Sequence, residues 1–146
     1  MKWKLIVVGK PALAFAKSGV EEYLKRLRRY ATVEIETIRE SGPEENGRRQ
    51  LQLSESCIRI VLDERGKGLT TADLVKKVEE WQMDGSVKRV AILIGGADGH
   101  TEETRAAADL LLKLSDFTLQ HELALVALLE QIYRVHTVLK SEPYHR

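Results

Sequence analysis

A single cysteine, Cys57, excludes any disulfide within the chain, and points to a reducing compartment. Placed just before an apolar run, its thiol reads as buried and structural. No apolar stretch approaches the roughly 18 residues that a membrane span needs. The start, Met1-Lys2-Trp3-Lys4, leads straight into a strand-like segment without a cleavage site, so a cytoplasmic protein without a signal peptide is expected. Charge of one sign is also missing. The net charge is +1 and the pI about 7.9, which does not announce a nucleic-acid binder. Several familiar signatures are absent too. Gly9 after the first strand stands without the G-x-G-x-x-G fingerprint, so ordinary dinucleotide binding is disfavoured. There is no P-loop and no serine nucleophile elbow. His100, His121, His136 and His145 lack metal-ligand spacing, so no metal is expected.

What remains is an alternation of apolar runs and amphipathic stretches in 146 residues, enough for one domain with its own core. Lys4–Val8 reads as a buried strand closed by Gly9-Lys10-Pro11. Val20, Tyr23, Leu24 and Leu27 mark one helical face. Val33, Ile35 and Thr37 alternate with Glu34 and Glu36, as in a half-exposed strand. The polar stretch Ser41–Ser56 reads as a loop with at most a short helix over Arg48–Leu53. Ile58–Leu62 is a third strand closed by Asp63, and Arg65-Gly66-Lys67-Gly68 a turn. Thr70 caps a helix with Asp73 in its first turn. Val87–Ile94, the most apolar strand, is expected at the sheet centre. Thr101-Glu102-Glu103 opens a further helix, Phe117–Leu119 is a short fifth strand, and Glu122–Lys140 a long helix with Leu125, Leu128, Leu129 and Ile132 on its core face. The class is α/β with a largely parallel sheet.

In such sheets ligands bind beyond the carboxyl ends of strands. Three ends draw attention here: Leu62-Asp63, Gly95-Gly96 and Leu119-Gln120-His121. A glycine pair after a buried strand lets backbone approach a ligand closely, and equally makes a tight turn with no ligand at all. The tail Tyr144-His145-Arg146 joins a stacking ring, an imidazole and a planar cation. That set suits an RNA base and its phosphate, or an ordinary polar terminus. Two cationic clusters, Lys25/Arg26/Arg28/Arg29 and Arg134/His136/Lys140/His145/Arg146, read first as partners of helix carboxyl ends.

Taken in order, several segments carry a family resemblance. They include Leu5-Ile6-Val7-Val8-Gly9-Lys10, Glu22–Arg26, Trp81–Gly85, Leu93–Gly99, Thr118–His121, Glu130–Arg134 and Pro143–Arg146. Together they resemble the RlmH family of large-subunit ribosomal RNA pseudouridine N3-methyltransferases, in the SPOUT superfamily. The resemblance implies a Rossmann-like parallel sheet with a C-terminal trefoil knot. It implies S-adenosyl-L-methionine as cofactor and a homodimer acting on helix 69 of ribosomal RNA in the assembled ribosome. By position, the cofactor contacts would be Leu62, Gly95, Gly96, Ser115, Asp116, Phe117, Thr118, Leu119 and Gln120. The catalytic and RNA-facing residues would be His121, Arg134, Tyr144, His145 and Arg146. The chain departs from the family pattern in three places. It is shorter between the second and third strands, which predicts a trimmed helix at the rim. Leu125 stands where the pattern has an arginine four positions after the histidine, and Gln120 where proline is common. A non-catalytic RNA- or ribosome-binding homodimer of the same fold is the alternative, and fold alone also allows a mononucleotide- or flavin-binding protein.

Overall fold

The computed structural model describes residues 1–145, so Arg146 lies outside the described residues. The elements alternate as β1 (Lys2–Val8), α1 (Ala14–Leu27), β2 (Thr32–Ile38), α2 (Pro43–Leu53), β3 (Ile58–Gly68), α3 (Thr71–Met83), β4 (Arg89–Ile94), α4 (Glu102–Ala106), β5 (Leu110–Lys113) and α5 (His121–Leu139). All strand pairings are parallel and the order is β2-β1-β4-β3-β5. The apolar β4 is therefore central, as its composition predicted.

Side chains alternate across the central strands and build two cores. Trp3, Leu5 and Val7 of β1 and Val90, Ile92 and Ile94 of β4 face α1, α3 and α5. Ile6, Val8, Ala91 and Leu93 face the other way, toward the α2 side. The first core is the larger because α5 brings Leu125, Leu128, Leu129, Ile132 and Val135 to it. α1 lies close against α5 at Gly19, where an added Cβ would come within 2.8 Å of Val126 Cγ1. Thr70 and Asp73 form the expected reciprocal capping box at the start of α3.

Four segments differ from the sequence reading. Ser41–Ser56 is not mainly loop, because α2 fills Pro43–Leu53. Its buried face is Asn46, Gly47 and Gln50, so apolar periodicity could not reveal it. Gln50 is 1% exposed, and its Nε2 donates to the carbonyls of Ile6 (3.1 Å) and Ile94 (2.9 Å), tying α2 to the ends of β1 and β4. Arg65–Gly68 is not a free turn. β3 bulges after Leu62 and rejoins β5 at Lys67 and Gly68. The fifth strand is Leu110–Lys113 rather than Phe117–Leu119, and α4 is correspondingly a short helix. Cys57 is half-buried at the edge of the second core rather than sealed inside it.

His136 is likewise not a surface cation. It is 3% exposed, and its Nε2 accepts the Trp3 indole N–H at 3.0 Å, which requires the neutral ring. Burial, helped by the chain's amino terminus and Lys140, lowers its pKa from 6.5 to about 4. Between those values the unfolded chain binds a proton that the folded chain refuses. Stability complete above pH 6.5 is therefore expected to drain by about 3 kcal/mol as pH falls toward 4. His136→Gln keeps an acceptor for Trp3 and is expected to flatten this acid limb. Urea midpoints measured at neutral and acid pH check it, and an unchanged slope in the variant would refute the assignment.

Candidate active site

The bulge of β3 and the carboxyl ends of β4 and β5 open on a cleft of about 440 Å³. Leu62 to Arg65 form one wall, the turn Ile94–His100 a second, and Lys113–Ser115 with Phe117–Leu119 a third. His121 and Ala124 of α5 close one end. The size and mixed lining suit a nucleoside-sized ligand.

The glycine turn makes this shape possible. Gly99 sits at φ +73°, a conformation that favours glycine, and its N–H donates to the Gly96 carbonyl at 3.0 Å. Gly96 packs so tightly that a Cβ would lie 2.5 Å from Glu40 Oε1 and 3.1 Å from Val8 Cγ1. Arg105 fastens the turn from below. Its Nη1 donates to the His100 carbonyl at 2.7 Å and lies 3.5 Å from Asp63 Oδ2, while Nη2 reaches Glu102 at 2.9 Å. The strand-three wall and α4 are thereby coupled across the cleft.

Most predicted cofactor residues meet here: Leu62, Gly95, Gly96, Ser115, Phe117, Thr118 and Leu119 all line the cleft. Asp116 and Gln120 do not. Asp116 points outward in an ion pair with Lys113 (2.5 Å). Gln120 caps α5, its Oε1 accepting the N–H groups of Glu122 and Leu123 at 2.9 Å each. Asp63, singled out with Leu62 as a strand end, also lines the cleft, as do His100 and Arg105, to which pattern reading gave no role. His100 is 9% exposed, and burial holds its pKa below the usual histidine range, against the nearby Asp63 charge. Leu125 is 2% exposed within the large core, so no cation occupies the place where the pattern expected one.

The predicted catalytic residues divide into two groups. His121 opens α5 at the cleft. Arg134 lies 13 positions along the same helix, about 20 Å away at 1.5 Å per residue. The tail packs beside Arg134, not beside His121. Tyr144 stands edge-on to Tyr133 with centroids 4.7 Å apart, and its hydroxyl lies 3.3 Å from Glu130 Oε1 and 3.4 Å from the Tyr23 hydroxyl. Arg134 bonds Glu130 through Nε (2.9 Å) and Nη2 (2.5 Å), covers the Tyr144 ring at 4.8 Å, and donates Nη1–H to His145 Nδ1 at 3.1 Å. Burial, then the Tyr23 and Glu130 contacts, raise the Tyr144 pKa, so its phenol stays protonated. Arg146 falls outside the described residues.

A sequence profile described as "Predicted SPOUT methyltransferase" matches residues 1–145. The chain belongs to the SPOUT methyltransferase family. Its relatives within that family agree along their whole length. It is 47% identical over 146 residues to the ribosomal RNA large subunit methyltransferase H of Thermus thermophilus, covering 100% of this chain and 99% of that one. Over 153 residues it is 42% identical to the protein of the same name from Deinococcus deserti, covering 100% of both. The counterpart from Dechloromonas aromatica is 42% identical over 156 residues, with 100% of this chain and 99% of the relative covered. Methyl transfer is the chemistry that this family's description carries.

Among the described residues, no helix is long and apolar enough to cross a membrane, and no three His, Cys, Asp or Glu side chains gather as metal ligands.

Proposed function

We propose that this protein is an S-adenosylmethionine-dependent methyltransferase acting on N3 of a pseudouridine in helix 69 of large-subunit ribosomal RNA, in assembled cytoplasmic ribosomes. The observation that carries the proposal is the strand-end cleft, lined by the residues matched to the family's cofactor positions in a chain that aligns end to end with named ribosomal RNA methyltransferases. The residues present fit such a donor. The glycine turn offers backbone at close range, Leu62 and Leu119 offer apolar contact, and Asp63 offers a negative charge.

The donor, when bound, supplies an electrophilic methyl group on a sulfonium. The chain's own task is alignment and proton management, because N3 of the base must lose its imide proton. His145 is the first candidate to accept that proton, at the Nδ1 lone pair now held by Arg134. Tyr144, kept protonated, is suited to stacking and donating rather than to acting as base. Arg134 and Arg146 are the cations suited to the developing anion or a backbone phosphate.

The 20 Å between His121 and Arg134 supports a site shared by two subunits, the cleft from one and the tail from its partner. Leu13 (41% exposed), Phe15 (52%), Phe117 (83%) and Leu123 (41%) flank the start of α5, an apolar surface suited to a homodimer. The same reading carries the C-terminal trefoil knot that the family resemblance implies. One observation favours the second reading, a non-catalytic ribosome-binding dimer: a buried Leu125 stands where the family pattern has an arginine.

Labelled-methyl transfer separates the two. Ribosomes lacking the modification are expected to accept label, and free ribosomal RNA or short hairpins to accept it poorly, since a chain of net charge +1 gains little from phosphate neutralisation alone. Label on neither ribosomes nor RNA would refute the enzyme reading.

A further inference from the structure

We infer that His100 is a ligand-contact residue of the strand-end cleft, its Nε2 accepting a hydrogen bond from an O–H or N–H group of the bound nucleoside. The inference rests on the methyl-donor reading and assigns a specific atom within it. Among the described residues, His100 Nε2 is the buried side-chain nitrogen or oxygen that lacks any hydrogen-bond partner. Other buried polar groups are answered: Gln50 by two carbonyls, His136 by Trp3, Asn46 by the Ser41 N–H and Glu40, and the buried Glu122 carboxylate by the N–H groups of Ala12 and Leu13. An orphaned buried nitrogen is a standing cost, and such groups collect where a ligand completes the bond.

The surroundings say which kind of partner fits. The ring is 9% exposed and lines the cleft. The carbonyls of Leu93 and Leu62 lie beside it and take only a ring N–H, which leaves a lone pair on the ring for a donor. The charged groups around it are Asp63 from the bulge of β3 and Arg105 from α4, the latter already committed to Asp63, Glu102 and the His100 carbonyl. A cation from the protein is therefore not the missing partner. Gly95 and Gly99 cover Nε2 from the turn side: a Cβ on Gly95 would lie 3.2 Å from the Gly99 carbonyl carbon and 3.3 Å from Nε2. With no side chains there, only the backbone of the turn stands against the nitrogen on that side.

The test is calorimetric titration with S-adenosylhomocysteine on full-length wild type, His100→Leu and His100→Gln, from about pH 5 to about pH 8, with the thermal midpoint of each ligand-free protein. His100→Leu deletes the orphan, so its midpoint is expected to hold or rise while its affinity falls roughly tenfold. His100→Gln, which places a polar atom near the Nε2 position, is expected to regain most of that affinity. Wild-type affinity is expected to fall as His100 protonates at acid pH, and both variants to lose that dependence. Affinity in His100→Leu equal to wild type across the range would overturn the inference while leaving the cofactor site standing. A wild type that binds no S-adenosylhomocysteine would instead overturn the methyl-donor reading, and this inference with it.

Discussion

Gly66→Ala is expected to destabilise the fold by about 3 kcal/mol or more, a severe outcome for one added methyl group. Gly66 lies where β3 bulges outward after Leu62 and returns across β5. An added Cβ would stand 2.7 Å from the Leu111 carbonyl carbon, the Leu111 oxygen and the Leu112 carbonyl carbon. These are backbone atoms of a paired strand, so no rotamer change relieves the clash and β3 or β5 must move. Gly85 provides the control, because a Cβ there meets nothing within 4 Å. Gly85→Ala is expected to leave the denaturation midpoint within about 0.5 kcal/mol of wild type. The displaced residues would be the cleft's own walls, Leu62 to Arg65 on one side and Lys113 to Ser115 on the other, so ligand affinity should fall with stability. A Gly66→Ala protein as stable as Gly85→Ala would contradict the close strand approach.

The same bulge shows why sequence reading placed some elements and not others. Alternating apolar runs identified β1 through β4, and the Thr70–Asp73 pair fixed the start of α3, because both signals are local. Arg65-Gly66-Lys67-Gly68 looked like a turn for an equally local reason, yet β5 recaptures Lys67 and Gly68 by a pairing no local pattern encodes. Leu110–Leu114 satisfies a helical or a strand pattern alike, and register with β3 decides for strand. α2 escaped notice because its inward face is polar, and its Gln50 earns burial only through carbonyls of β1 and β4. At the site, the glycine pair and the 115–119 segment were legible, one from its composition and the other from resemblance. Asp63 was legible as a strand end, but the places of His100 and Arg105 were not, because they depend on strand order bringing β3 beside β4. His136 was misplaced among the cations since only the fold supplies Trp3 as its partner.

The larger functional effect is expected at the tail. Ending the chain after Pro143 removes Tyr144, His145 and Arg146, leaves both hydrophobic cores intact, and is expected to lower methyl transfer at least a hundredfold while S-adenosylhomocysteine still binds. Thr118→Trp, at an exposed position on the cleft wall, is expected to abolish ligand binding while the tail remains. In one chain these two lesions sit at opposite ends of α5, which makes them the natural pair for asking whether one site draws on two subunits.

The deciding measurement is the methyl-transfer rate of a heterodimer built from one tail-truncated subunit and one Thr118→Trp subunit, each carrying its own purification tag. A cleft and a tail contributed by different subunits leave one of two sites whole, so the heterodimer is expected to work at about half the wild-type rate although each parent dimer is nearly inactive. A heterodimer as inactive as its parents would contradict the shared site, and place the tail and cleft of a single subunit in one reaction.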